Sequence, residues 1–369
     1  MNRLFGWKQT GLFLLALAAG ILPFAVPEVC AAALREGLTL CSGPLLLSLF
    51  PFLVVSRLLV QCPESDLLAL PFRLAAWGIG IRTPCAARVL CIGFLGGFAP
   101  AASAAAQAVR TGQLTVEEAD ALLPACICSG PSFVVLTVGQ SLLGSAELGV
   151  LLFASQITAN YLTAALLNRF AGVRSAKPGS AVPAFPAPPR LDEILADAAI
   201  TYCKLCGFIL FFRMLAAGAG ALLPAGAGTL CAILLEVCSG CDLASRTGRW
   251  GSLLCCAALS VQGLSVLLQV RTICPPEMTL RPLYRSRLLH LPLSLALFYL
   301  LLPGGETDVF STLPARVLLM RRVPPDCALL VFAVCCMAAC TLRSGIRQVE
   351  QKQMARNAGG CCINSKTLL

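Results

Sequence analysis

Charge is what this chain of 369 residues has least of. Charged residues make up 12% of it, where a soluble protein carries about a quarter. Histidine is represented by His290 alone, and aromatic residues reach only 7%. A single histidine leaves no zinc-protease helix motif, and no nucleophile–base pair stands out, so an intramembrane enzyme lacks support. We therefore expect no catalytic residue, no metal and no cofactor.

What is present is apolar. Hydrophobic residues account for 57% of the chain and the mean hydropathy is +0.82. Such a composition describes an all-α, polytopic integral membrane protein, whose first partner is the lipid bilayer. Most of the net charge of +10 falls in connectors, where it reports orientation rather than nucleic-acid binding.

The 21 cysteines resemble a disulfide scaffold or a metal centre until their positions are read. Cys91, Cys231, Cys255, Cys256, Cys335, Cys336 and Cys340 lie inside apolar runs, where cysteine acts as a small hydrophobe. The pairs Cys203/Cys206 and Cys238/Cys241 carry C-x-x-C spacing, but no ribbon spacing joins them.

About 9 to 11 apolar segments can be drawn, each judged against a span of about 20 residues. Those of the first half cover Gly11 to Val26, Leu38 to Val60, Leu67 to Ile81, Val89 to Val109, Pro124 to Leu143 and Leu148 to Leu167. The third is short for a span, and Glu28, Arg35 and Glu36 read as a connector. Those of the second half cover Ala198 to Leu223, Leu230 to Ala244, Trp250 to Val270, Leu288 to Leu302 and Cys327 to Leu342.

The expected order is an N-terminal transmembrane segment over 1–30 and a first membrane half over 31–170. A proline-rich basic linker follows over 171–190, then a second half over 191–303. A connector with a last transmembrane helix over 304–342 and a basic tail over 343–369 complete the chain. Five full spans after the linker would leave the basic tail outside, against the positive-inside rule. One segment is therefore expected to be re-entrant, best the stretch carrying Leu235 to Gly240. Arg271, Arg281, Arg285 and Arg287 would then form an inside connector.

The most informative stretch runs from Gly93 to Gln140. It reads as a broken membrane helix around Gly97 and Pro100, a polar elbow from Arg110 to Ala119, and a second broken helix around Gly130 and Pro131. Backbone freed inside a bilayer must be satisfied by protein or by a water-filled cavity, so such breaks point to a solute path. Close helix packing by small residues is the alternative for each break taken alone.

In the second half Glu236 stands at membrane depth, where a carboxylate faces a cavity, a partner or a proton path. Arg246 or Arg249 could pair with it; a solvated position near lipid headgroups is the alternative. Gln140, Gln156 and Asn160 in the first half, and Gln262, Ser265 and Gln269 in the second, read as interhelical glue and together as a polar interface between halves. His290, after Arg285 and Arg287, reads as interfacial.

At these residues the chain resembles the YlbJ-type sporulation integral membrane proteins, which contain the nucleoside-recognition or Gate domain. The resemblance covers Ala32 to Leu302. It rests on Leu49 to Leu53, Phe94 to Ala102, the elbow Gly112 to Leu123, Gly130 to Phe133 and Thr137 to Gly139. It continues in Leu235, Glu236 and Gly240, in Gly263 to Val270, in Tyr284, and in Arg287 to His290. Where that family carries a lysine in its first motif this chain has Ser103, and where it has paired asparagines Ile127 and Cys128 stand here.

The resemblance implies a bacterial cell-membrane protein of endospore formation, with a transporter-like core for a nucleoside-like or other small polar solute. Other sporulation membrane proteins are the implied neighbours. The expected solute path comprises Gly97, Pro100, Gly130, Pro131, Glu236, Ser239, Gly240, Ser265 and Gln269. The rival expectation is a non-transporting scaffold of the spore envelope, favoured by the lost polar groups.

Overall fold

In a computed structural model, the described residues are 2–61, 65–173 and 191–302. Residues 174–190 of the expected linker 171–190, the expected last helix Cys327 to Leu342 and the basic tail lie outside them. Among the described residues every regular element is helical, as a backbone in hydrocarbon requires.

Four stretches are long and apolar enough to cross a membrane: Pro27–Val60, Ala146–Ala171, Leu191–Leu222 and Gly248–Ile273. Their outward faces keep large apolar side chains exposed, Leu47, Phe170, Ile200 and Leu264 among them. That surface suits lipid rather than water.

The chain opens with α1 (Asn2–Ala25), α2 (Pro27–Ser42) and α3 (Pro44–Gln61). Glu36, expected in a connector, belongs to α2 and pairs with Arg213 at 2.7 Å. Two short helices follow, α4 (Ser65–Leu68) and α5 (Leu70–Gly78). At four and nine residues they are too short to span.

Next come α6 (Pro84–Gly96) and α7 (Phe98–Arg110). The expected single segment Val89 to Val109 is overturned here, because the chain turns back at Gly97. An added Cβ on Gly93 would lie 3.2 Å from the Cβ of Ala101. In a straight helix those residues would stand about 12 Å apart. Small residues on both arms let the hairpin close.

The elbow leads into α8 (Val116–Cys126) through a capping box. The Thr115 hydroxyl accepts from the Glu118 N–H at 3.1 Å, and the Glu118 carboxylate accepts from the Thr115 N–H at 3.1 Å. The T-x-x-E spacing is a sequence signature of this start. After a break at residues 127–130 the chain resumes helically at Pro131 and runs on as an 11-residue π-helix, Ser132–Leu142.

Here the chain passes through. The antiparallel helix α9 (Ala146–Ala171) lies beside both parts. Gly149 meets Val135 and Gly139 of the π-helix, the Asn160 amide donates to Ile127 O in the break at 3.4 Å, and the Asn168 amide donates to Ala121 O of α8 at 3.1 Å.

The same order recurs after α10 (Leu191–Leu222), a single helix that absorbs the expected lead-in. Helices α11 (Ala225–Leu235) and α12 (Val237–Ser245) fold back on each other at Glu236. A Cβ on Gly240 would lie 2.8 Å from the Cα of Ile233. Helices α13 (Gly251–Val261) and α14 (Gly263–Ile273) are broken at Gln262, and α15 (Arg281–Leu301) closes the unit.

The second unit is inverted relative to the first. Asp120 near the start of α8 holds the turn before α15, accepting from Thr279 N at 2.9 Å, Thr279 Oγ1 at 2.7 Å and Leu280 N at 3.2 Å. The start of α15 and the end of α14 therefore share one end of the bundle with the open ends of the α6–α7 hairpin. The α11–α12 hairpin opens toward the other end.

Candidate functional site

Four helix interruptions meet inside the bundle. Gly97, at the first hairpin tip, has φ +80, and a Cβ there would come 2.7 Å from the backbone N of Gly130. Only glycine allows both that conformation and that approach. Gly263, at the break between α13 and α14, has φ +68, and a Cβ there would come 2.9 Å from the backbone N of Glu236. Each hairpin tip thus rests on the break of its own unit. The two breaks are joined by the Gln262 amide, which donates to Ser129 Oγ at 3.4 Å.

Glu236 is 2% exposed. Its carboxylate accepts from Cys238 N at 2.8 Å and from Ser239 N at 2.7 Å, capping α12. It does not pair with Arg246 or Arg249. Arg246 bonds Asp242 at 2.7 Å one turn earlier, and Arg249 lies over the Trp250 ring. The physical reason is proximity: the freed N–H groups of α12 stand within reach of the carboxylate at its N-cap position.

Of the other expected site residues, Pro100 lies buried in the first turn of α7 and Pro131 precedes the π-helix. Gly130 faces Gly96 and Gly97, while Gly240 packs on α11. Ser239 contributes its backbone N–H to Glu236. Ser265 and Gln269 are buried one turn apart on α14, the Gln269 amide donating to Ser265 Oγ at 2.9 Å. The structure gathers Gly97, Gly130 and Pro131 in one cluster and Glu236, Ser239 and Gly240 in another.

Two buried acceptors near this crossing are unpartnered, Gln262 Oε1 and Gln269 Oε1. An orphan amide oxygen in a dry interior is costly unless a donor arrives. Gln269 continues outward along α14 to Thr272, which lines a cavity of about 180 Å³ with Arg57, Ser103, Arg110, Asp197 and Lys204. Asp197 pairs with Arg57 at 2.5 Å, so the remaining cations of the vestibule are Arg110 and Lys204. Thr272, Gln269 and Ser265 share one helical face about 10 Å long.

Behind the breaks runs a polar seam between α9 and the second unit. The Gln156 amide donates to Cys256 O at 3.2 Å and to Ser260 Oγ at 3.0 Å. Ser260 also bonds Ser294 on α15. His290, expected at an interface with water, is fully buried, with Nε2 3.2 Å from Gln156 O. Arg287, expected in a connector, is buried inside α15, because that helix begins at Arg281.

Arg287, Asn160, Ser129 and Gly263 belong to the site but not to the solute path expected from sequence, where Asn160 reads only as part of the interface between halves. The amide of Asn160 and the glycine carried a signal, but Arg287 carried none beyond its closeness to an apolar run. Gln140, grouped with the buried amides from sequence, points outward at the end of the π-helix. Cys238 and Cys241 sit in α12, and among the described residues no group of three His, Cys, Asp or Glu side chains converges as a metal site needs. No family model, curated protein or solved structure matches the chain.

Proposed function

We propose that this chain is the core of a permease that carries a small polar solute through the crossing of its broken helices. The observation that carries this reading is the meeting of two hairpin tips with two breaks, joined by the Gln262–Ser129 contact. Interrupted helices line paths because their freed backbone needs polar company. The orphan oxygens of Gln262 and Gln269 supply acceptors for solute donors. The resemblance adds the setting, a bacterial membrane in endospore formation, and a nucleoside-like or other small polar solute.

A scaffold of the spore envelope is the second reading. It is favoured by Glu236, whose oxygens are both engaged by its own helix. Thiol accessibility separates the two. In a cysteine-depleted chain, single cysteines replace Ser239, Ser265 and Gln269 and are probed in intact cells and inverted vesicles. Labelling of all three by water-soluble reagents supports the permease. Normal insertion with no labelling from either side supports the scaffold.

A further inference from the structure

One cation at the crossing has no carboxylate in contact, because Glu236 is bonded to the N-terminus of its own helix. Arg287 is 8% exposed, yet it meets only neutral partners. Its Nε donates to Ser286 Oγ at 3.3 Å, Nη1 to Ser260 O at 3.4 Å and Nη2 to Asn160 Oδ1 at 3.2 Å. Among the described residues no carboxylate forms an ion pair with it. A guanidinium has five N–H groups, so two stay available. A buried cation without a counter-charge is strongly destabilising.

Helix ends add to the same sign. Three N-termini open at the crossing with no side-chain cap: α7 after Gly97, the π-helix after Pro131 and α14 after Gln262. Each carries a partial positive charge and favours an anion. The fourth, α12, has consumed the carboxylate of Glu236 as its cap. Among the described residues the other buried carboxylates, Glu118 and Asp120, belong to the first turns of α8, at one end of the bundle.

We infer that the solute of this site is an oxyanion, a carboxylate or phosphate, that neutralises Arg287 at the crossing of the broken helices. This rests on the permease reading and narrows it, since a neutral nucleoside would leave Arg287 uncompensated. Guanidinium geometry matches such oxyanions through paired N–H bonds. Arg110 and Lys204 at the vestibule raise the local concentration of the same class of solute.

The test uses the full chain in detergent and in proteoliposomes, with inorganic phosphate, succinate, uridine monophosphate and uridine as probes at matched ionic strength. At least one anion should raise the melting temperature while uridine does not. Arg287→Gln should weaken that anion about tenfold or more. Arg287→Lys keeps the charge without the fork and should weaken it about threefold; it decides the matter if Arg287→Gln does not insert. Stabilisation by uridine alone, no shift with any of the four, or an anion affinity unchanged in the inserted variant would overturn the inference. Anion binding without uptake would keep it and overturn the permease reading. Uridine uptake indifferent to Arg287 would do the reverse.

Discussion

The side-chain amide of Gln262 donates to the hydroxyl of Ser129, 3.4 Å away and 133 residues earlier in the chain. One residue lies in the break of α13–α14 and the other in the break before the π-helix. The contact joins the interrupted helices of two inverted units at their irregular points. Around it the glycines fix how close the backbones come, and the buried amides fix what polar groups remain.

Gly97→Ala should be severely destabilising. The added methyl needs both a left-handed backbone and space taken by Gly130 N, 2.7 Å away. Strain and overpacking together cost about 2 to 4 kcal/mol. Gly20→Ala in α1, where nothing lies within 4 Å, serves as the control. Thermal unfolding of both variants in detergent should separate them by many degrees; equal melting would remove the tip-on-break contact from the account.

Glu236→Ala removes both acceptors from the N-terminus of α12. Loss of two charge-assisted bonds in a buried cap should cost about 2 to 3 kcal/mol. Glu236→Gln keeps one acceptor and should cost about half as much. Unfolding measurements rank the three proteins, and a Gln variant as unstable as the Ala variant would contradict the capping role.

Asp120→Ala should loosen the turn that starts α15. Three donors, Thr279 N, Thr279 Oγ1 and Leu280 N, lose their acceptor, at a cost of about 3 kcal/mol. Hydrogen exchange should rise over residues 274–281 well before the rest of the chain. Uniform exchange across the protein would show that the clasp is not local.

The bond between Gln156 and Ser260 offers a quantitative check on interhelical glue. A double-mutant cycle with Gln156→Leu and Ser260→Ala should return a coupling of about 0.6 kcal/mol, the scale found for such pairs in membranes. A value near zero would mean that Ser294 and Cys256 replace the lost partner.

Part of the architecture was legible before any coordinates. Glycine and proline marked Gly97, Gly130 and Pro131 as interruptions, T-x-x-E marked the start of α8, and the charge of the tail argued that the stretch around Glu236 turns back. The fate of each interruption was not legible. Gly97 and Gly130 look alike in sequence, yet the chain reverses at one and continues past the other.

Composition and local chemistry, which act over a few residues, determined that this chain forms membrane helices and where they are interrupted. Tertiary structure alone decided which arms fold back, because reversal depends on Gly93 meeting Ala101 and passage depends on α9 lying alongside. It alone decided that His290 and Arg287 are buried and that Glu236 caps its own helix, because burial and partners are supplied by segments more than a hundred residues away or by a backbone turn that sequence spacing does not display.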